Sequence, residues 1–243
     1  MNGNLSARAE LLAGDWRDCL SDVGSVDAVI CDPPYGARTH RGNAHVSRML
    51  DVRRDLTYGC WSEADVAEFV ESWAPRCSGW FACMTSDDLI PAWRAAYAAA
   101  GLYDFAPVVV IAPRVRLVGD GPASSAVYLM VARPRKRAFM SWGALPGYYM
   151  AGIDRSGHIG GKPLPLMRAI VRHYSRRDDL IVDPCAGYAT TLRAAQVEGR
   201  RSVGAEVDAE TYKAGAARIA EPFALPLVDA IAGTQTGLFG DDE

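Results

Sequence analysis

Short apolar runs that end at an acidic or polar residue alternate along this chain with amphipathic stretches. The runs predict buried strands at 9–13, 26–31, 79–85, 180–182 and 201–206. The amphipathic stretches predict helices at 62–73, 88–100, 162–174, 190–198 and 209–220. This alternation is typical of a doubly wound α/β fold, in which helices cover both faces of a mostly parallel sheet.

Three segments depart from the alternation. Apolar runs at 105–112 and 124–132 flank a short polar link, which predicts an antiparallel strand pair. Residues 36–59 and 134–161 show no apolar periodicity, so we expect irregular structure in both. A connection as long as 36–59 is usually functional or disordered. With 243 residues the chain is long enough for one sizeable core.

The second apolar run stops at an acidic residue followed by two prolines and a tyrosine. Proline lacks the N–H that a sheet requires, so the strand ends here and Asp32 falls at its carboxyl edge. Ligands of open α/β sheets bind at that edge. The candidate functional residues are therefore Asp32, Pro33, Pro34 and Tyr35. A plain turn is the structural alternative.

A second acid-ended strand is followed by small residues and the start of a helix. Small residues let a ligand approach the backbone, and the free N–H groups of a helix start favour an anion. Glu206 ends the next strand, at the spacing from Asp183 that lets a carboxylate accept hydrogen bonds from ribose hydroxyls. The candidate residues of this unit are Asp183, Ala186, Gly187, Thr190, Thr191 and Glu206. They predict an adenosine-containing ligand smaller than a dinucleotide, because the full G-x-G-x-x-G pattern is missing.

Three motifs follow one another along the chain: Asp32-Pro33-Pro34-Tyr35, Lys162-Pro163 before a helix, and Asp183-Pro-x-x-Gly-x-x-Thr-Thr. Together they resemble the amino-methyltransferases of DNA in the circularly permuted beta order. The resemblance implies a Rossmann-like methyltransferase fold as a single domain over 1–243. It divides the chain into a catalytic half at about 9–133, a small recognition region at about 134–161, a cofactor-binding half at about 162–220 and a loose tail at 221–243.

The resemblance also implies S-adenosylmethionine as the cofactor. It places Asp15 at the adenine, Glu206 at the ribose, Asp183, Ala186, Gly187, Thr190 and Thr191 around the methionine part, and Lys162 and Pro163 at the edge of the pocket. Asp32 and the Pro33 carbonyl would accept hydrogen bonds from the amino group of a flipped-out base, within the Pro33-Pro34 turn that holds them. Tyr35 would stack on that base.

The chain departs from the usual motif of the family in the second unit. Cys185 stands where the family usually has phenylalanine, and Tyr188-Ala189 stand where it usually has Ser-Gly. The aromatic ring of the phenylalanine is therefore missing at position 185, and the ring of a tyrosine is added at position 188. These changes predict a methionine pocket of altered shape, with weak cofactor affinity or a pocket that is closed in the free protein.

The distribution of charge points to DNA as a partner. The net charge is -3, but basic residues are concentrated in two segments, and nearly all of them are arginines, whose planar fork suits phosphates and base edges. We expect phosphate contacts from Arg38, Arg41, Arg48, Arg53, Arg114, Arg116, Arg135, Lys136 and Arg137. Ordinary solvated faces are the alternative.

Other features narrow the setting. The six cysteines are scattered without a C-x-x-C pair, which indicates reduced thiols and no metal site. No run of eighteen apolar residues and no leader pattern occurs, so we expect neither a membrane span nor export, and we expect the cytoplasm of a prokaryotic or phage-infected cell. The sequence leaves a homodimer open.

Aspartate at the first position of the Pro-Pro motif favours adenine N6 as the target, since family members acting on cytosine more often have serine there. Methylation of cytosine N4 is the close alternative. A weakly active or inactive DNA-binding protein of the same fold is also open, as is a methyltransferase of RNA or of protein glutamine.

Overall fold

The computed structural model describes residues 8–37, 59–111, 125–135, 141–152 and 161–223. The strands are β1 (Ala9–Ala13), β2 (Val26–Cys31), β3 (Cys77–Thr85), β4 (Tyr103–Asp104), β5 (Val108–Ile111), β6 (Ala126–Arg133), β7 (Tyr148–Met150), β8 (Leu180–Asp183) and β9 (Arg201–Glu206). The helices are α1 (Trp16–Cys19), α2 (Glu63–Trp73), α3 (Ile90–Ala99), α4 (Leu164–Tyr174), α5 (Thr190–Val197) and α6 (Ala209–Ala220), with a 3₁₀ turn at Asp87–Leu89 before α3.

All the described strands join one sheet in the order β1-β9-β8-β2-β3-β6-β5-β7, and β4 pairs with β6. Among these strands β6 alone runs against the rest, because it is antiparallel to β3, β4 and β5. The predicted doubly wound, mostly parallel sheet with an antiparallel strand pair is confirmed. One consequence matters for the site: the carboxyl ends of the other strands meet at one edge.

The sheet is buried on both faces, as the alternation within β2 shows. Val29 and Cys31 face a cluster formed with α2 and α3, whereas Ala28 and Ile30 face a cluster formed with α4 and α5. All four side chains are fully buried. A parallel strand covered on both faces needs a continuous apolar run, which is what the sequence of β2 supplies.

Helix α2 begins with a capping box formed by Ser62 and Asp65. The Ser62 hydroxyl accepts a hydrogen bond from the Asp65 N–H at 3.3 Å, and the Asp65 carboxylate accepts one from the Ser62 N–H at 2.7 Å. Its predicted apolar face is buried, with Val66, Phe69 and Trp73 fully covered. The cap fixes where α2 begins, and the buried apolar face packs the helix against the sheet.

The segment predicted to be irregular at 134–161 contains β7, so that prediction was wrong for Tyr148–Met150. These residues pair in parallel with Val109–Ile111 of β5. A strand of three residues is too short to show an alternation of its own, and its pairing depends on a distant partner. Helix α4 also begins slightly later than predicted, at Leu164, with Pro163 as its N-cap residue.

The predicted tail is described only over 221–223. The Arg193 guanidinium on α5 donates hydrogen bonds to the carbonyls of Glu221, at 2.8 Å, and Pro222, at 3.0 Å. Most of the predicted connection at 36–59, the link between β5 and β6 and the rest of the tail lie outside the described residues.

Candidate active site

The carboxyl ends of five neighbouring parallel strands bring together residues that are far apart in the sequence. From one side of the sheet to the other, the strands β1, β9, β8, β2 and β3 lead into Asp15, Glu206, Asp183, Asp32 and Ser86. Four of these five residues are acidic, and three of the acids directly end or follow a buried strand. The predicted catalytic motif and the predicted cofactor motif therefore share one edge.

Asp32 is engaged on both carboxylate oxygens. The Tyr35 hydroxyl donates a hydrogen bond to Oδ1 at 2.9 Å, and the Lys162 ammonium pairs with Oδ2. Lys162 Nζ also lies 5.1 Å from the centre of the Tyr35 ring. The sequence places Lys162 in the cofactor pocket, and the structure brings it to the aspartate of the other motif. Both donors are side chains, so both can move away from Asp32.

Burial and charge fix the protonation states of these two donors. Burial, followed by the negative charge of Asp32, raises the pKa of Tyr35 well above its ordinary value. Burial lowers the pKa of Lys162, but the charge of Asp32 and the contact with Tyr35 outweigh it, so the pKa of Lys162 is raised. At neutral pH the phenol keeps its proton and the ammonium keeps its charge.

The backbone around Tyr35 is held by groups that the sequence analysis missed. The Tyr35 carbonyl accepts a hydrogen bond from the Trp61 N–H at 3.1 Å, and the Gly36 N–H donates one to Ser86 Oγ at 3.1 Å. The Ser86 hydroxyl donates in turn to Asp88. A Cβ on Gly36 would lie 2.1 Å from an Asp88 carboxylate oxygen, so a larger residue here would displace the Asp88 side chain. In the sequence, the polar residues Ser86 and Asp88 directly after β3 were the pattern that could have indicated these groups at the same edge of the sheet.

Glu206 binds the backbone on two sides. Its Oε2 accepts a hydrogen bond from the Gly187 N–H at 2.9 Å, and its Oε1 accepts one from the Asp208 N–H at 2.8 Å. Burial raises the pKa of Glu206, although these backbone hydrogen bonds oppose the rise. A carboxylate has about four acceptor positions, so Glu206 keeps capacity to accept a hydrogen bond from a ligand. The adjacent Val207 is 66% exposed and offers an apolar surface beside the acid.

Asp183 is almost completely buried, with 1% of its surface exposed. Burial raises its pKa to about 7, against hydrogen bonds from the Thr191 hydroxyl, the Cys31 thiol and the Cys185 N–H that lower it, and the charge of Asp32 adds to the rise. The Cys185 N–H donates at 3.2 Å. Asp183 is thus a buried acid that titrates near neutral pH.

Asp15 has a local structural role. Its carboxylate accepts a hydrogen bond from the Arg17 N–H at 2.9 Å and caps α1, and it also pairs with the Arg17 guanidinium at 3.2 Å. The neighbouring Gly14 N–H donates to the carbonyl of Glu206 at 2.9 Å. The turn that carries Asp15 therefore lies beside Glu206, and the role of Asp15 at an adenine stays a prediction.

Of the predicted phosphate contacts, Arg135 falls within the described residues, and its guanidinium lies 5.3 Å from the centre of the Tyr103 ring. Because β6 is antiparallel to β3, its chain runs away from the carboxyl edge of β3, and Ala132 near its end pairs with Phe81 in the middle of β3. Arg135 thus lies towards the edge of the sheet opposite Asp32. The others lie outside the described residues: Arg38, Arg41, Arg48, Arg53, Arg114, Arg116, Lys136 and Arg137.

Within the described ranges, no three His, Cys, Asp or Glu side chains are grouped so that they could hold a metal ion. No helix in that part of the chain combines the length and apolar character needed to cross a membrane.

Comparison with known proteins gives matches in sequence and in fold. Residues 136–217 match the family described as DNA methylase, the N6/N4 type. The matched range includes Lys162, Asp183 and Glu206, and it excludes the motif at Asp32–Tyr35. The type II methyltransferase M.HindIII of Haemophilus influenzae is 32% identical over 66 residues, which make up 27% of this chain and 21% of that protein. The match therefore spans about a fifth of the length of this curated relative.

Two solved structures show the same fold over most of the chain. The M1.HpyAVI–SAM complex has a TM-score of 0.65 at 17% identity and covers 88% of this chain and 100% of its own. The PvuII DNA methyltransferase, described as cytosine-N4-specific, has a TM-score of 0.65 at 15% identity and covers 89% of this chain and 88% of its own. The predicted Rossmann-like methyltransferase fold is confirmed.

Proposed function

We propose that this chain methylates an exocyclic amino group of a base in DNA, as a member of the DNA methylase family whose model matches its residues 136–217. One observation carries the proposal: the acid of Asp32–Tyr35 and the acids Asp183 and Glu206 end neighbouring strands at one sheet edge. A methyl donor and a methyl acceptor bound there would face each other. The single sheet of the described residues supports one domain with a catalytic half and a cofactor half.

The residues of the second unit fit S-adenosylmethionine. Glu206 keeps acceptor capacity that a ribose hydroxyl would use, and Val207 offers an exposed apolar surface to a purine ring. Asp183 and the start of α5 would hold the charged methionine part, close to Gly187 and Thr191. When bound, this cofactor supplies a methyl group on a positively charged sulfur, which a nitrogen can displace.

The chain's own part in the transfer is to position the amino group. The nitrogen lone pair of an aromatic amine is delocalised into the ring, which makes the amine a poor nucleophile. Asp32 and the Pro33 carbonyl would accept its two hydrogens and direct the lone pair at the methyl group. Most of the rate enhancement would come from this orientation, since no covalent enzyme intermediate is needed. Once methylated, the amino group would release one of its protons to solvent.

A base within a duplex cannot reach this edge, so the target nucleotide must be flipped out of the helix. Tyr35 would stack on it and replace about 1–3 kcal/mol of lost stacking. The Tyr35 hydroxyl would then leave Asp32 Oδ1, and the amino group would take its place. Lys162 would stay on Oδ2 and keep the carboxylate in position.

We propose adenine N6 as the target, because the first position of the motif is an aspartate, Asp32. The alternative target is cytosine N4, since one of the enzymes with a similar fold is described as cytosine-N4-specific. The relative from Haemophilus influenzae is bacterial, and we propose a cytoplasmic location in a bacterial or phage-infected cell.

The test is methyl transfer from labelled S-adenosylmethionine to DNA, RNA and protein, followed by nucleoside analysis of the product. We expect N6-methyladenine in DNA. N4-methylcytosine would overturn the assignment of the base. Label in RNA or protein alone would overturn DNA as the substrate. If no label is transferred to any of the three, the proposed activity is wrong and the alternative of an inactive DNA-binding protein is favoured. Asp32→Ala should abolish transfer but retain cofactor binding, whereas Asp22→Ala, in an exposed turn, should leave both unchanged.

A further inference from the structure

Helix α6 packs closely against the loop between β8 and α5, which comprises residues 184–189 and is called here the β8–α5 loop. Gly215 is buried on the face of α6 that meets the loop. A Cβ on Gly215 would lie 3.1 Å from the Gly187 carbonyl oxygen and 3.3 Å from the Ala189 Cβ. The absence of a side chain at Gly215 therefore allows the helix to approach the loop backbone.

Arg218 lies three residues further along α6 and contacts the loop at Tyr188 and the start of α5 at Thr190. Its guanidinium donates hydrogen bonds to the Tyr188 carbonyl at 3.3 Å and to Thr190 Oγ1 at 2.7 Å. The guanidinium carbon lies 4.6 Å from the centre of the Tyr188 ring. Arginine is suited to this arrangement, because its planar group can stack on a ring while it donates several hydrogen bonds. The same side chain thus holds the residue before and the residue after Ala189.

The loop needs support of this kind because its backbone is unusual. Gly187 has a φ of 53° and Ala189 a φ of 55°, both in the left-handed region. Alanine seldom adopts this conformation, and it persists where surrounding contacts determine it. Tyr188, which stands between these two residues, is the largest departure from the usual motif of the family, and its ring packs on Arg218.

We propose that Arg218 is a positioning residue for the cofactor. By holding Tyr188 and Thr190, it keeps the backbone of the β8–α5 loop in the orientation that receives the methionine part of S-adenosylmethionine. The inference rests on the proposed function. It assigns to the last described helix, far from the catalytic motif in sequence, a part in cofactor affinity, and it accounts for a bulky tyrosine in a loop of otherwise small residues.

The experiment measures the affinity of the full chain for S-adenosylhomocysteine, the product form of the cofactor, by titration calorimetry. We expect Arg218→Met to weaken binding about tenfold, the effect of losing a charged hydrogen bond of about 1.4 kcal/mol. The KM for S-adenosylmethionine should rise by a similar factor, and kcat at saturating cofactor should stay nearly unchanged. Arg218→Lys, which keeps the charge without the planar group, should lie between Arg218→Met and wild type.

Lys213→Met is the matched control, since Lys213 is an exposed cation on the same helix that pairs with Glu210. It should bind S-adenosylhomocysteine as the wild type does. If Arg218→Met fails to fold, Arg218→Lys and Tyr188→Ser test the same contact with smaller changes. Wild-type affinity in the folded Arg218 and Tyr188 variants would overturn the inference alone. A wild-type protein that binds neither form of the cofactor would overturn the proposed function, and this inference with it.

Discussion

The Lys162 ammonium pairs with the Asp32 carboxylate across 130 positions of the sequence. Lys162 immediately precedes the cap of α4, and Asp32 follows β2, so the pair connects the two halves of the proposed enzyme. Each side chain is 21% exposed, and the pair is therefore accessible to a ligand without being fully solvated. Under the proposed function, a base that enters the site would meet a carboxylate already paired with a cation.

Lys162→Met should lower kcat for methyl transfer by roughly ten- to a hundredfold, because a hydrogen bond to a charged group contributes about 1.5–3 kcal/mol. The KM for S-adenosylmethionine should change little if Lys162 acts on Asp32. If Lys162→Met instead raises this KM and leaves kcat unchanged, Lys162 acts in the cofactor pocket. Steady-state kinetics with both substrates varied distinguishes the two, and Lys213→Met serves as the surface control.

Asp183→Asn should change how stability depends on pH. The pKa of Asp183 is raised from its ordinary value of 3.8 to about 7 in the folded protein. The unfolded chain therefore releases this proton at lower pH, so the contribution of Asp183 to stability is complete below pH 4 and is lost as the pH rises through 7. Asparagine stays neutral and escapes this loss.

The difference in unfolding free energy between Asp183→Asn and wild type should thus shift in favour of the variant between pH 4 and pH 8, by roughly 4 kcal/mol at most. Urea unfolding at several pH values measures it. Asp22→Asn, at an exposed turn, is the control and should show no such shift. A pH-independent difference for Asp183→Asn would contradict a buried acid that titrates near neutrality.

Ala189→Gly should cost little stability, because two effects oppose each other. Glycine relieves about 1–2 kcal/mol of left-handed strain at φ 55°. It also loses a buried methyl group, worth about 0.8 kcal/mol, and gains freedom in the unfolded chain. Ala186→Gly is the matched comparison, since Ala186 is buried in the same loop without a positive φ, and it should be the more destabilising by about 1–2 kcal/mol. Equal losses in urea unfolding would show that the strain is absent.

Gly36→Ala should impair catalysis more than stability. The added Cβ would meet the Asp88 carboxylate, which can move aside, but this movement disturbs the Ser86 hydroxyl that holds the Gly36 N–H. We expect a cost of about 1–3 kcal/mol in unfolding free energy and a clear fall in kcat. Gly24→Ala, where the Cβ would meet nothing within 4 Å, is the control. Wild-type kcat in Gly36→Ala would show that Ser86 and Asp88 do not position the motif.

Local patterns predicted much of this fold, and long-range pairing decided the rest. The apolar run of β2 and the cap at Ser62 are encoded by neighbouring residues, so the sequence was sufficient for both. Strand β7 exists through its pairing with β5, and the contact of Lys162 with Asp32 depends on how two distant elements meet. Net charge likewise carries no information on the edge at which Arg135 leaves the sheet.

The β8–α5 loop is held by two separate elements of the fold. Glu206 binds the Gly187 N–H and also the Asp208 N–H at the start of α6, while Arg218 binds the loop from near the end of that helix. Because Glu206 ends β9 and Arg218 lies on α6, the sheet and the helix hold the loop separately. A molecule that presses on the loop at Gly187 or Tyr188 therefore acts against both elements.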